Sequence, residues 1–353
     1  MGLFKKQDVI GLDIGTNSLK VAQLKRNSKG YELIKAGIKS LPPGTISEDE
    51  ILDRKAIIEA IKELLREQKI TTKQVATSIS GRSVIVKRIR LPEMDEDELM
   101  ETILYEAEQY IPFDINDVNL DFQIMNNAKS KVEGQMDILL VAVKKERIQD
   151  IVSLIHEAGL VPAVVDIDVF ALENQYEVNY PRDMEHYVVL LDIGADTMNM
   201  NILWEGETIF TRDASLGGNN YFKVLQNNLG LDADEIEKLK SGEIPLGLTE
   251  DQLTPLQESF YEEILSEIQR SFDYFRATAD DTPIARMLLS GGTSKIGKID
   301  QVLAQRFELE VEKNNPFQNL QINPSQFDSN WLAEIAPMMG VVIGLALRKV
   351  DDR

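Results

Sequence analysis

The stretch VIGLDIGTNSLKVAQL at 9–24 returns as VVLLDIGADTMNMNIL at 188–203, 179 positions later and without a gap. Each copy opens with an apolar run of buried-strand character, passes through Asp-Ile-Gly and resumes with alternating polarity, the pattern of a β-hairpin with a tight bend. Identity falls on Val9/Val188, Leu12/Leu191, Asp13/Asp192, Ile14/Ile193, Gly15/Gly194 and Leu24/Leu203. A turn alone demands Gly with Asn or Asp, not the same apolar register on both flanks, so the chain reads as an internal duplication. Aspartate at the end of a buried strand is costly unless a cation or a donor meets it. Facing hairpins would meet that need. The backbone N–H groups of Thr16, Asn17 and Ser18 after Gly15, and of Ala195, Asp196 and Thr197 after Gly194, form two anion-binding nests able to grip a polyphosphate. Asp13 and Asp192 would then meet at Mg²⁺, which takes one or two carboxylates with water and phosphate oxygens.

Charge narrows the partners. Lys plus Arg number 38 against 59 Asp plus Glu, a formal net charge of −21. Such a surface repels phosphate backbones and anionic bilayers, which argues against nucleic acid. No apolar run reaches the roughly 18 residues of a membrane helix. The start, MGLFKKQD, lacks the apolar stretch and cleavage site of a signal peptide. A cytoplasmic chain without direct membrane insertion is expected. Cysteine is absent, which removes disulfides, thiolate zinc sites and thiol nucleophiles. His156 and His186 lack convergent partners in the sequence and read as structural.

A length of 353 residues with 43% hydrophobic content suits two lobes. DRKAIIEAIKELLREQ at 53–68 places Ile57, Ile58, Ile61, Leu64 and Leu65 on one helix face behind Asp53 as N-cap. VATSIS at 75–80 follows as a buried strand ended by Gly81. Asp95 and Glu98 open a helix toward Pro112, and VAVKKERIQDIVSLIHEAGL reads as strand, helix and the cap Gly159. Residues 84–164 therefore form an α/β unit inserted between first-lobe segments 1–83 and 165–186, with a second lobe at 187–335. In that lobe a helix over 256–278 carries Phe260, Ile264, Ile268 and Phe272 as a core stripe. WLAEIAPMMGVVIGLALRK reads as one last helix, 336–353 closing onto the first lobe, with Ala336, Gly340 and Gly344 giving a flat face for another backbone.

These residues carry a resemblance. The DIGT and DIGA turns, the strand RMLLSGGTSKI at 286–296 and the glycine-containing last helix resemble, in order, the two phosphate motifs and the adenosine motif of the actin, hexokinase and Hsp70 ATPase superfamily. Within it, MGLFKK, EDELMETILYEAEQYIPF at 96–113, LLVAVKKERI at 139–148, EAGLVPAVVDIDVFALEN at 157–174 and EIQRSFDYF at 267–275 are similar to the PilM family of type IV pilus assembly proteins, relatives of FtsA. The resemblance implies an α/β, actin-like two-lobed ATPase fold with duplicated β-hairpin phosphate motifs, and gives the inserted unit the identity of an FtsA-type 1C subdomain.

It also implies ATP and Mg²⁺ as cofactors. Lys20, five residues past Gly15, falls where actin has a phosphate-binding lysine, although a solvated strand lysine looks the same. Gly291, Gly292 and Thr293 would leave bare backbone against adenosine. Glu237 and Lys240 match residues that bond the ribose and cover the adenine in relatives, and Gly217 and Gly218 would floor the cleft beneath the sugar. An ordinary salt-bridged helix face and a structural turn explain those last four as well. One departure stands out: where FtsA-like second motifs read Asp-x-Gly-Gly-Gly-Thr, this chain has Asp192-Ile193-Gly194-Ala195-Asp196-Thr197. A carboxylate at Asp196 would repel a γ-phosphate unless Mg²⁺ intervenes or the side chain turns outward, so at most slow hydrolysis is expected. No general base is evident, Asp166 and Asp168 qualifying only by position.

The resemblance further implies a scaffold whose nucleotide state sets the interlobe angle and with it the affinity for a partner. That partner is the cytoplasmic N-terminal tail of PilN, which would bring the chain to the inner membrane and link it to PilO, and indirectly to the assembly and retraction ATPases. A small-molecule kinase of the same superfamily, an FtsA-like division protein and a filament former are the alternatives. The inserted unit is expected to hold the tail. Leu99, Ile103, Leu104 and Ala107 share a helix side, and Tyr110, Ile111, Pro112 and Phe113 make an apolar exit. Leu99, Ile103, Tyr110, Ile111 and Phe113 are therefore the candidate groove residues. Inward packing of the whole cluster is the other possibility.

Overall fold

A computed structural model describes residues 9–47, 50–125, 134–241 and 243–350. The MGLFKK segment and the last three residues lie outside the described residues. Both repeated stretches are hairpins in the same register. Ile10–Ile14 runs antiparallel to Ser18–Asn27 with Asp13 opposite Lys20, and Tyr187–Ile193 runs antiparallel to Met198–Trp204 with Asp192 opposite Asn199. Equivalent bonds close the turns: Gly15 N–H donates to the Ser18 carbonyl at 3.2 Å, and Gly194 N–H to the Thr197 carbonyl at 2.8 Å.

The duplication extends to whole sheets. On one side each hairpin adds an antiparallel strand, Gly30–Ser40 or Glu207–Ala214. On the other side it adds two parallel strands, Gln74–Ile79 then Val161–Ile167, or Ile284–Ser290 then Glu310–Lys313. Two five-stranded sheets of identical order result, one per lobe.

Between the sheets lie the helices Asp168–Asn179 and Gly340–Ala346. Their residues Ala171, Leu172, Tyr176, Val341 and Leu345 share one core with Val9 and Ala76 of the first lobe and Val188, Leu190 and Leu288 of the second. Gly344 is required here, because a Cβ would fall 1.7 Å from the Ala171 carbonyl oxygen. The flat face of the last helix is thus used inside the protein. That helix is not continuous: Ser329–Ile335, a 3₁₀ turn at Ala336–Met338 and Gly340–Ala346 replace it, bent by 93°. Pro337 supplies no backbone N–H for the ladder, and the chain leaves helical geometry at Met339, φ −100° and ψ 4°, just before the second segment starts. Its apolar residues pack on Ala22, Leu33 and Ala36 of the first lobe. No single helix among the described residues is long and apolar enough to cross a membrane.

The inserted unit is a three-stranded antiparallel sheet, Val84–Pro92, Gln135–Lys144 and Val118–Ile124, covered by the helix Glu96–Ala107. Asp95 caps that helix, its side chain accepting from Glu98 N–H. Its own core draws on Ile89, Leu99, Ile103, Ile111, Ile138 and Leu140. The next helix, Lys145–Glu157, sends Ile151, Leu154 and Ile155 into the first-lobe core, and Val161–Ile167 joins the first-lobe sheet. By packing, the insertion therefore ends near Lys144 and not at residue 164. A single helix has to cover the whole inner face of the small sheet. That explains why Leu99, Ile103 and Ile111, at 0%, 5% and 6% exposure, are core residues and cannot line an open groove. Tyr110 and Phe113 are half-buried at the edge, with Lys87 5.2 Å from the first ring centre and Lys144 4.5 Å from the second.

Candidate functional site

The two turns border one cavity of about 1130 Å³ between the lobes. Gly15, Thr16, Asn17, Ser18 and Lys20 line it from the first lobe, and Gly194, Ala195 and Thr197 from the second. Asp13 and Asp192 stand at its base, while Gly218, Glu237, Lys240, Gly291, Gly292 and Thr293 line the far part.

Two expected residues do not line it. A Cβ on Gly217 would come within 2.4 Å of the Ala195 carbonyl oxygen, so Gly217 lets the helix Gly218–Leu229 start against the second turn and does not floor the cleft. Asp196 is held by Asn219, whose Nδ2 donates to Oδ1 at 2.7 Å. Gly291, at φ +89°, has the Ile193 carbonyl oxygen 2.2 Å from where a Cβ would be. Backbone packing on the second hairpin demands glycine there, alongside any ligand.

The base of the cavity concentrates charge. Lys20 Nζ donates to Asp13 Oδ2 at 2.8 Å, both side chains being 14% exposed. Burial works against the Lys20 ammonium, but Asp13, Asp192 and Asp168 together outweigh it and hold its pKa above the ordinary lysine value. Burial, then Asp168, pushes Asp192 up to about 7, with Lys20 opposing. Asp168 is pushed up to about 6 by burial and Asp13, against hydrogen bonds from Ser78 and Ser80. Opposite Asp192 the duplicated register places neutral Asn199 instead of a lysine, so its cross-strand neighbour supplies no charge. The structure separates the two acids that sequence left equal. Asp168 lines the cavity at the start of its helix, whereas Asp166 faces Arg348 at 3.3 Å.

Glu237 and Lys240 bond each other at 2.7 Å, and Lys240 Nζ lies 5.6 Å from the Phe222 ring centre. The helix-face explanation and a cavity role coexist, since both residues also border the cavity. Sequence reasoning missed Ser78, Tyr221, Phe222 and Asn219. The first lies outside any motif, and the others stand in SLGGNNYF, where the glycines drew attention.

A family model described as "Type IV pilus assembly protein PilM" matches residues 11–350. The chain belongs to this family. Its structure is similar to one described as the "PilM-PilN type IV pilus biogenesis complex", with TM-score 0.86 and 27% identity over 98% of this chain and 100% of that one. EutJ from Carboxydothermus hydrogenoformans shares the fold at TM-score 0.57 and 13% identity, over 98% of this chain and 91% of that one. MreB5 of Spiroplasma citri bound to ADP does so at 0.51 and 11%, over 93% and 98%. The fold is thus the α/β, actin-like two-lobed one, and the protein has a role in type IV pilus assembly.

The cleft residues fit a magnesium nucleotide. Among the described residues no group of three or more His, Cys, Asp or Glu is set to hold a metal. Mg²⁺ needs only one or two carboxylates when phosphate oxygens and water complete its shell. Asp13 and Asp192 are such hard donors, and the cavity, at about 1130 Å³, is slightly larger than the roughly 300–1,000 Å³ of typical small-molecule sites, enough room for a nucleotide.

Proposed function

We propose that the cleft binds ATP with Mg²⁺, and that the protein is a nucleotide-dependent scaffold that engages the cytoplasmic N-terminal tail of PilN. The observation that carries the nucleotide is the pair of equivalent turns bordering one cavity above Asp13, Lys20 and Asp192. In that complex the backbone N–H groups of both turns and Lys20 would hold the phosphates, while Asp13 and Asp192 would hold the metal. Bound Mg²⁺ supplies charge neutralisation of the phosphates. Gly291, Gly292, Thr293, Glu237 and Lys240 would meet the adenosine, with Tyr221 and Phe222 as an aromatic wall. Asp168, with its carboxylate near neutral pKa and hydrogen-bonded by Ser78, is the better candidate to orient a water.

The PilN tail is supported by the likeness to the PilM–PilN complex. Two features of the chain suit an extended apolar peptide. Tyr110 and Phe113 remain half-buried at the edge of the inserted unit. Behind the first turn Ile38 and Arg147 also border the cavity, over Leu41, Ile46, Ile79 and Ile151, which at 3–7% exposure belong to the first-lobe core. Leu41 N–H donates to the Asn17 carbonyl at 2.9 Å, tying this wall to the first turn, so that a tail seated on it would share an element with the nucleotide. Recruitment to the inner membrane, and contact with PilO and the pilus motors, would follow through PilN. Calorimetry with Mg-ATP, with a PilN-tail peptide and with both tests this. Each is expected to bind, and each to change the other's affinity by the same factor. No tail binding at all would refute the partner, and independent affinities would refute the coupling.

A further inference from the structure

A phosphate-binding turn that carries a carboxylate works against itself, since Asp196 sits within the second turn between Ala195 and Thr197, both of which border the cavity. No Lys or Arg ion pair neutralises it among the described residues. Its restraint is one side chain. Asn219 Nδ2 donates to Asp196 Oδ1 at 2.7 Å, and Asn219 N–H donates to the Ala195 carbonyl at 2.8 Å, so the residue is fixed to the turn through backbone and side chain together. The other end of the same amide reaches across the cleft: Asn17 Nδ2 of the first turn donates to Asn219 Oδ1 at 2.9 Å.

We infer that Asn219 is a positioning residue that parks the Asp196 carboxylate outside the polyphosphate cleft, and that this restraint lets a triphosphate bind beside an acidic turn. The inference rests on the proposal that the cleft takes a magnesium nucleotide. An ionised carboxylate free to rotate into the cavity would meet the phosphates in a medium of low effective dielectric, where like charges repel strongly. The repulsion grows with ligand charge, so ATP suffers more than ADP. Asn219 also spans the two turns, so its loss has a second possible effect, a looser cleft. That effect would act on both nucleotides and would not depend on Asp196.

The test is a titration of fluorescent ATP and ADP analogues at fixed Mg²⁺ with the full chain. Asn219→Ala is expected to weaken ATP about tenfold, equivalent to about 1.4 kcal/mol, and ADP distinctly less. Adding Asp196→Asn to it should restore most of the lost ATP affinity. Asn219→Asp is isosteric and cannot donate to Asp196, so it should lower ATP affinity at least as much, and it serves should the alanine variant fold poorly. Equal loss for ATP and ADP, no rescue by Asp196→Asn, or unchanged ATP affinity in both Asn219 variants would each overturn the inference. Failure of the wild type to bind either nucleotide would instead overturn the functional proposal beneath it.

Discussion

Lys20→Met removes the ammonium that faces Asp13, Asp168 and Asp192 while keeping an unbranched side chain. Lys20 bonds Asp13 at 2.8 Å, with both side chains 14% exposed. Breaking a buried pair from one side costs about 3–5 kcal/mol, and this residual exposure puts the expected loss at the lower end, about 3 kcal/mol. The loss should depend on pH. Asp168 and Asp192 have folded pKa values raised to about 6 and about 7, so each opposes folding increasingly as pH rises from its unfolded value through the folded one. Lys20 limits both rises. Without it they climb further, and the variant falls behind the wild type most where both groups are ionised in the wild type. Urea unfolding followed by circular dichroism, without nucleotide and with a chelator, should give a loss of about 3 kcal/mol at pH 8. Near pH 5, where both acids are largely protonated in either protein, only the Asp13 bond is lost, about 1–2 kcal/mol. An equal loss at both pH values, or less than about 1 kcal/mol at pH 8, would show that the three carboxylates do not share this lysine's field.

Gly344→Val should destabilise by about 3 kcal/mol or more, or prevent folding, since its Cβ position is 1.7 Å from the Ala171 carbonyl oxygen; a thermal melt within a few degrees of wild type contradicts that packing. Tyr110→Ala and Phe113→Ala should each weaken PilN-tail binding by about 1–2 kcal/mol and leave ATP affinity alone, and wild-type tail capture by both folded variants would move the groove elsewhere. Phosphate release without a partner should be far below the usual range of about 1–10³ per second, as expected of a scaffold that uses the bound nucleotide as a state signal; several turnovers per second would contradict this.

Much of the site was legible because the duplicated stretch constrains itself. Asp13 and Asp192 recur with the same apolar flanks, so strand, turn and register could be read before any contact was known. What failed to show were pairings distant in sequence. Asn219 meets Asp196 across 23 positions and Asn17 across 202, and no local pattern marks either. The apolar helix of the inserted unit misled for a different reason. Its periodicity shows that Leu99 and Ile103 share a face but not what covers that face, and a three-stranded sheet consumed it. Met100, Leu104 and Tyr105, on the other side, are the exposed ones. The long second-lobe helix begins at Glu250, ahead of Pro255, because Thr249 and Gln252 cap it and a proline close to a helix start removes little of the hydrogen-bond ladder.

The most direct measurement for the nucleotide cleft is fluorescent-ATP titration at fixed Mg²⁺ with the wild type, Asp13→Ala and Asp192→Ala. Each substitution takes one carboxylate from the base of the cavity where both hairpins end. Tight binding by the wild type, with at least tenfold weakening in both variants that shrinks when Mg²⁺ is withdrawn, is the predicted result. Unchanged affinity in both, or no binding by the wild type, would contradict a magnesium nucleotide held between the paired turns.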